Sequence, residues 1–480
     1  MIKVIQTSIQ QEKSAPTAAF LLSKTFVAIW SFVFALFFFG FATKWTFDPQ
    51  TIGNYLPGHF FSAQADSMLQ GRLWIDGADL PLECFVRDGN CYGYFGISPS
   101  LLRIPLVVVL GVQDSEMTAL FLAIAAGIAL WSALDLCRRV ILKDCPIISG
   151  TTAGYMVVAA IVLGPGGSLV LVSDAYVYQE AILWSVAGML VSVNLFWRWW
   201  TERKVWQFVG STAALVFAAG SRPTAMGVGA VLAVAILVAC ARARRISSRA
   251  LLGAIALALL PLVAVFGSFF AKFGSYYPKG NYDGSSIVFI QQVVKNNEGQ
   301  AGNSTKFIPT AALAYLRPFT FRTEDQWPWV RYRFGRPYGK GPLERITYLP
   351  PARKDSINVE PIVSITDVMP LPLVMTVLGA VAIAFRRTRR FELFVLAALS
   401  TPLLVMFTTQ TIATRYLGDF FPLMAVGTAF GATLLPRFRR LGWSPRFYIT
   451  LAVVALTLVS VPVVMMLASQ YNWTYRYGTK

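Results

Sequence analysis

Residues 25–43 read TFVAIWSFVFALFFFGFAT, an apolar run long enough to cross the hydrocarbon core of a bilayer as a helix. A polar, aromatic-rich segment at 44–100 follows it and contains the only histidine of the chain, His59. Similar apolar runs recur along all 480 residues, of which 55% are hydrophobic and only 14% charged. Soluble domains carry about 25% charged residues, so this composition predicts a polytopic membrane protein.

We expect an all-α fold, because lipid offers no hydrogen-bonding partner to an open backbone group. About eleven transmembrane helices are predicted from runs of sufficient length. The predicted spans are 25–43, 116–137, 150–172, 177–197, 205–220, 224–241, 250–270, 369–385, 391–409, 416–435 and 447–468.

Charge placement predicts the orientation. Every second connection between spans is rich in Lys and Arg, which places the N-terminus in the cytoplasm and the C-terminus in the periplasm. The net charge of +18 then reflects topology, and we expect no nucleic acid partner. The site is expected to face the outside of a bacterial inner (plasma) membrane.

This topology divides the chain into modules. A cytoplasmic tail covers 1–24, an N-terminal transmembrane module covers 25–270, and a C-terminal transmembrane module covers 369–480. Two large outer loops, 44–115 and 271–368, carry most of the polar sequence outside. Internal repeats, which many transporters show, are not evident.

The sequence of the first outer loop predicts three local structures. An amphipathic helix is expected at 59–74, with Phe60, Phe61, Ala65, Met68 and Leu69 on one face. A hairpin is expected at 83–95 around Arg-Asp-Gly-Asn, and a short interfacial or re-entrant apolar run follows it. The flanking Cys84 and Cys91 are equally consistent with a disulfide and with two free thiols.

Four polar groups stand at predicted outer membrane ends, where ionisable residues are costly and therefore functional candidates. They are Asp48 and Asp66 with His59; Asp174, Tyr178 and Glu180; Arg222 in the sequence SRPT; and Arg415, Tyr416 and Asp419. Structural alternatives remain for each group. Arg222 could extend from a helix break to the interface, and Arg415 could simply pair with Asp419 four residues later.

The second outer loop mixes aromatic and basic side chains, including Arg331 and Arg333. One interpretation is a substrate cover, in which Trp and Tyr stack on sugars and Arg binds phosphate. The other is a solvated loop that contacts anionic lipid headgroups.

The chain resembles the GT-C superfamily of membrane glycosyltransferases, which includes protein mannosyltransferases and the aminoarabinose transferase of lipid A. The resemblance is carried by four features: the run Ala65–Leu73, the stretch Tyr92–Pro105, the acidic second outer loop around Asp174 and Glu180, and Arg222-Pro223-Thr224. It covers the topology of nearly the whole chain, and its motifs are loose.

The resemblance implies a polyprenyl-phosphate sugar donor and an aspartate of the first outer loop as catalytic base. Asp66 is favoured over Asp48, because Asp66 lies in the helix that is similar to the family pattern. The donor phosphate is expected at Arg222, Arg415, Arg331 and Arg333. Substrate contacts are expected from His59, Arg72, Tyr94, Asp174, Tyr178, Glu180, Tyr416 and Asp419.

No metal-binding residues and no certain cofactor are predicted. A divalent metal ion is left open, although the paired acids common in the family are not present here. The expected partners are the polyprenyl-phosphate sugar, a glycan, lipid or protein acceptor, and membrane lipids.

The expected function is an inverting glycosyltransferase that transfers a hexosyl or pentosyl group on the periplasmic face. Three alternatives remain: a lipid-linked glycan polymerase or ligase that uses a lipid diphosphate, a lipid or sugar transporter, and a non-catalytic assembly scaffold. The first alternative would need no carboxylate base in the first outer loop.

Overall fold

The computed structural model of the protein describes most of the chain. The described residues are 16–49, 59–76, 84–111, 117–144, 150–164, 177–243, 247–276, 305, 308–318, 321–323, 330–332, 363–385, 390–408, 414–432 and 461–466. Within these ranges the chain is almost entirely helical.

The helices and strands follow in this order: α1 (Pro16–Leu21), α2 (Lys24–Ala42), α3 (Phe60–Leu69), β1 (Cys84–Arg87), β2 (Asn90–Gly93), α4 (Ser98–Leu110), α5 (Thr118–Asp144), α6 (Gly150–Leu163), α7 (Val177–Glu202), α8 (Val205–Ser221), α9 (Met226–Arg242), α10 (Ser248–Phe273), α11 (Ile308–Leu316), β3 (Phe321–Thr323), β4 (Val330–Tyr332), α12 (Ile365–Val368), α13 (Pro370–Ala384), α14 (Arg390–Thr408) and α15 (Phe421–Ala432). Short 3-10 turns at Pro223–Ala225 and Thr414–Asp419 precede α9 and α15.

The protein is a multi-pass membrane protein. Among the described residues, six helices are long and apolar enough to cross a membrane, namely α2, α5, α7, α9, α10 and α14. The shorter apolar helices α8, α13 and α15 fall on further predicted spans, and α6 covers part of 150–172. Of the last predicted span, 447–468, only residues 461–466 are described, and they are helical.

Helix α7 forms the centre of the bundle. In an apolar stretch of 18 residues within α7, 89% of the residues are buried. The corresponding share in α10 is 22%, so most apolar side chains of α10 face outward. A Cβ at Gly188 would come within 2.8 Å of the Ala214 carbonyl oxygen and of the Ala218 Cβ. The absence of a side chain there allows α7 and α8 to pack closely, and α5 packs on another side of α7.

The segment 44–115, predicted to be the first outer loop, contains the predicted hairpin. Strands β1 and β2 pair antiparallel with Arg87 opposite Asn90. Asp88 and Gly89 form the turn with φ of 53° and 76°, the left-handed values that a two-residue hairpin requires. Cys91 is disulfide-bonded, and Cys84 begins the opposing strand.

Two sequence predictions differ from the structure in detail. In α3 the side chains of Phe60, Phe61 and Ala65 are buried as expected, but Leu69 is 46% exposed because α3 ends there. The span predicted to begin at 416 begins instead at Phe421, since the preceding residues form a 3-10 turn.

Candidate functional site

Helix α3 presents Asp66 beside the bundle. Phe60 and Phe61 are fully buried and pack edge-on against Phe95, with ring centroids 5.2 and 6.2 Å apart. This apolar face fixes the rotation of the helix and leaves Asp66 half-buried. One oxygen of Asp66 accepts a hydrogen bond from Gln70 Nε2 at 2.6 Å.

Arg72 extends this arrangement. Its guanidinium donates to Gln70 Oε1 and lies 4.3 Å from the centroid of the Trp74 ring. The predicted substrate contact Arg72 is therefore linked to Asp66 through Gln70. An aromatic face and an acid at one end of a short helix are groups that can bind a sugar and accept a proton.

Asp48 and His59 are placed differently from Asp66. Asp48 is exposed in the chain that leaves α2, where its backbone N–H donates to Thr46 Oγ1. His59 is half-buried at the residue before α3 and makes no capping hydrogen bond with its side chain. Of the two candidate bases, Asp66 has the more enclosed position.

Aromatic rings connect α3 to the start of α7. Tyr94 stacks on Phe95 with centroids 4.5 Å apart, and Phe95 packs edge-on against Tyr178 at 5.1 Å. Tyr178 lies in the first turn of α7, so the segment after β2 contacts the central helix directly.

Arg415 lies over this aromatic layer. Its guanidinium carbon is 4.3 Å from the centroid of Tyr178 and 5.3 Å from that of Tyr416. The side chain is half-buried. Attraction between the cation and the ring faces orients the guanidinium at this end of the bundle.

Arg222 and Asp419 form a buried ion pair beside it. Arg222 Nη2 lies 2.8 Å from Asp419 Oδ2, and Thr224 Oγ1 donates to the other carboxylate oxygen at 2.9 Å. Arg222 also lies 5.0 Å from the centroid of Tyr416. The 3-10 turn at Thr414–Asp419 directs the Asp419 carboxylate toward Arg222. Asp419 therefore pairs with Arg222 and not with Arg415, four residues earlier on its own segment.

A close backbone contact joins the hairpin to the Arg222 region. A Cβ on Gly96 would collide with the Gly220 carbonyl oxygen, and one on Gly220 would collide with Ser98 Oγ. Glycine at both positions allows the segment after β2 to lie directly against the end of α8. Three of the four polar groups predicted from the sequence therefore meet through residues of the segment between α2 and α5.

Two buried cations were not predicted from the sequence. Arg103 in α4 is 1% exposed and pairs with the fully buried Glu180 at 2.6 Å. Lys272 at the end of α10 is fully buried, and its Nζ donates to the carbonyls of Gly93 and Phe95 at 3.1 and 2.7 Å. The sequence signal for each was a single basic residue in an apolar run, and Arg103 also lies within the stretch Tyr92–Pro105.

Several predicted site residues cannot be placed. Asp174 and Arg333 lie outside the described residues, and only the backbone of Arg331, in β4, is described. Glu180, a predicted substrate contact, is held by Arg103 and is not exposed. Within the described part of the chain, no three His, Cys, Asp or Glu side chains are grouped as metal ligands would be.

The fold resembles that of archaeal oligosaccharyltransferases. The apo crystal structure of the Archaeoglobus fulgidus enzyme superposes with a TM-score of 0.52 and 13% identity, covering 94% of this chain. The same organism's AglB, in complex with an inhibitory peptide and a dolichol-phosphate, gives a TM-score of 0.51 and 12% identity over 94% of this chain. This chain spans 56% of the length of each.

These neighbours are GT-C membrane glycosyltransferases, so the resemblance predicted from the sequence is confirmed for the fold. No protein-family model matches the sequence, and no curated protein matches it either. The activity must therefore be argued from the site.

Proposed function

We propose that the protein transfers a sugar from a polyprenyl-phosphate donor to a hydroxyl acceptor at the outer face of a bacterial inner membrane. The carrying observation is that the helix bearing Asp66 packs, through Phe60 and Phe61, on the Tyr94–Phe95–Tyr178 aromatic layer. Arg415 lies over this layer, and Arg222 lies over the neighbouring Tyr416 ring. Nucleotide sugars are absent outside the cytoplasm, so an activated sugar there must arrive on a lipid.

Asp66 is the proposed base. The acceptor oxygen attacks the anomeric carbon, the bond from that carbon to the phosphate oxygen breaks, and the acceptor proton passes to the Asp66 carboxylate. Gln70 holds one carboxylate oxygen, which fixes the direction of the other. Positioned proton transfer contributes about 10² to 10⁴ in rate. A single displacement inverts the anomeric configuration.

Arg415 is the proposed main ligand of the donor phosphate. The departing group is a phosphate monoester, an anion that needs cations more than a proton. Arg222 is already engaged by Asp419, and a buried pair of this kind is costly to separate. Arg415 lies over Tyr178 and Tyr416, which suits a group that contacts both a sugar ring and a phosphate.

The two aspartates provide the test. Purified protein in lipid nanodiscs is supplied with a radiolabelled polyprenyl-phosphate sugar and an extract of envelope acceptors, and released polyprenyl monophosphate is counted. We expect Asp66→Asn to lower kcat about 100-fold or more, because the proton acceptor is lost. Asp48→Asn is the matched control and should lie within about threefold of wild type. Full activity in Asp66→Asn would overturn the base assignment.

One observation favours a second candidate, a transferase that moves a whole lipid-linked oligosaccharide. Both structural neighbours are oligosaccharyltransferases. Such an enzyme would transfer a whole oligosaccharide in one step. The same assay, run with a monosaccharide donor and with an oligosaccharide donor on the same polyprenyl phosphate, distinguishes the two.

A further inference from the structure

Helix α3 carries Asp66 but has little to hold it in place by itself. It contains ten residues, and its first turn receives no hydrogen bond from a capping side chain. Isolated helices shorter than about 12 to 15 residues are marginal in water. Contacts from outside α3 must therefore fix its position.

Two buried hydrogen bonds of this kind come from α4. Arg103 Nη1 donates to Ser62 Oγ at 2.7 Å, and Ser100 Oγ donates to Gln64 Oε1 at 2.7 Å. Ser62 and Gln64 are each 1% exposed, so both bonds lie away from water.

Ser62 and Asp66 lie four residues apart on α3. Residues at this spacing share one face of a helix and are separated by about 6 Å along its axis. The bond from Arg103 to Ser62 thus fixes the face of α3 that carries Asp66.

The same guanidinium reaches the central helix. Arg103 Nη2 donates to Glu180 Oε2 at 2.6 Å and to Thr118 Oγ1 at 3.3 Å. Its carbon lies 4.6 Å from the Phe121 ring centroid. Glu180 follows Tyr178, whose ring lies under Arg415, by half a turn of α7.

We propose that Arg103 is a positioning residue that, paired with Glu180, sets the Asp66-bearing face of α3 against the Tyr178-bearing start of α7. Its role in transfer rests on the proposed function. Arginine suits this role because its planar fork bonds several acceptors at once, whereas lysine is a point charge.

Stability alone does not account for the pair. Replacing a buried ion pair by apolar residues of similar size is often neutral or stabilising. A double variant, Arg103→Met with Glu180→Met, therefore removes both charges without leaving one buried alone. This double variant distinguishes an effect on folding stability from an effect on the position of α3.

The buried polar cluster around Asp135 provides a control for the Arg103–Glu180 pair, because it also joins α5 to α7. Asp135 Oδ1 lies 2.7 Å from Arg138 Nη2, and Asn194 donates to Asp135 Oδ2 at 3.2 Å. Asn194 lies about 21 Å along α7 from Glu180. Asp135→Asn thus perturbs a buried polar group on the same helices, far from α3.

The experiment uses the full chain in nanodiscs. It measures hydrogen exchange of the α3 amides by mass spectrometry, the unfolding midpoint, and kcat and KM for the polyprenyl-phosphate sugar. Arg103→Lys should speed hydrogen exchange of the α3 amides about tenfold. It should also lower kcat about 10- to 100-fold, because displacing the Asp66 carboxylate by about 1 Å reduces the rate by up to that factor. The KM of the donor should stay within about twofold, since its phosphate ligands remain.

The double variant should unfold near the wild-type midpoint and still show fast α3 exchange with low kcat. Asp135→Asn should lower the midpoint and leave α3 exchange and kcat unchanged. Recovery of α3 protection in the double variant, wild-type behaviour of Arg103→Lys, or an equal α3 effect in Asp135→Asn would each overturn the proposal. If the wild type transfers no sugar, the proposed function fails, while α3 exchange still decides the positioning claim.

Discussion

At the scale of single residues, the two arginines of the site differ in their partners. Arg222 donates to Asp419 at 2.8 Å, and the Asp419 carboxylate is 1% exposed. The Arg415 guanidinium lies over the Tyr178 and Tyr416 rings, 4.3 and 5.3 Å from their centroids. Substituting either removes one positive charge, and the loss of Arg222 deprives the buried Asp419 carboxylate of its ion-pair partner.

We predict that matched substitutions affect different quantities, donor affinity for Arg415 and folding stability for Arg222. Arg415→Gln should raise the donor KM about 10- to 100-fold, since a bond to a charged group contributes about 1.5 to 3 kcal/mol. Arg222→Gln should cost about 3 to 5 kcal/mol of unfolding free energy, because Asp419 remains buried without its cation. Donor titrations and denaturant unfolding of both variants check this. Equal loss of stability in the two would contradict the distinction.

Sequence reasoning identified Arg222, Arg415 and Asp419 because each interrupts an apolar run at a predicted outer end. It could not assign their pairing. The spacing of Arg415 and Asp419 suits an ion pair on an α-helix, and the 3-10 turn at Thr414–Asp419 removes that geometry. Arg103 was missed because one arginine within SPSLLRIPLVVVL does not reveal four distant partners.

At the scale of elements, the site depends on how closely the hairpin approaches α8. The space that a Cβ on Gly96 would need is taken by the backbone of Gly220 and Ser221. Backbone cannot rotate away as a long side chain can. The residue before Gly96, Phe95, packs on both α3 and Tyr178.

Gly96→Ala should consequently push the Tyr94–Phe95 layer away from α8. Overpacking of this kind costs about 1 to 3 kcal/mol, and we expect a lower unfolding midpoint together with reduced transfer. Gly267→Ala in α10 is the control, because a Cβ there meets nothing within 4 Å. Identical midpoints and activities in the two variants would show that the close contact does not matter.

The elements themselves were largely predictable. Apolar length predicted the six described helices that are long enough to cross a membrane, and Asp-Gly between alternating residues predicted the hairpin turn, since these signals are local. The start of α15 was misplaced by five residues because hydropathy does not distinguish a 3-10 turn from the helix that follows it.

At the scale of the whole molecule, the described polar groups separate to two ends of the bundle. Asp66, Arg415 and the Arg222–Asp419 pair lie at ends predicted to face outside, whereas the buried Asp135 group lies at an end predicted to face the cytoplasm. This orientation stays a prediction. The fold is shared with oligosaccharyltransferases over 94% of this chain, and these neighbours extend well beyond it.

The central claim is a single displacement at a polyprenyl-phosphate sugar, and the anomeric configuration of the product tests it most directly. A donor of one defined configuration is incubated with the wild-type protein and envelope acceptors, and the product linkage is assigned by NMR coupling constants. We predict the opposite configuration, with one polyprenyl monophosphate released for each sugar transferred. Retained configuration, or release of polyprenyl diphosphate, would contradict the account.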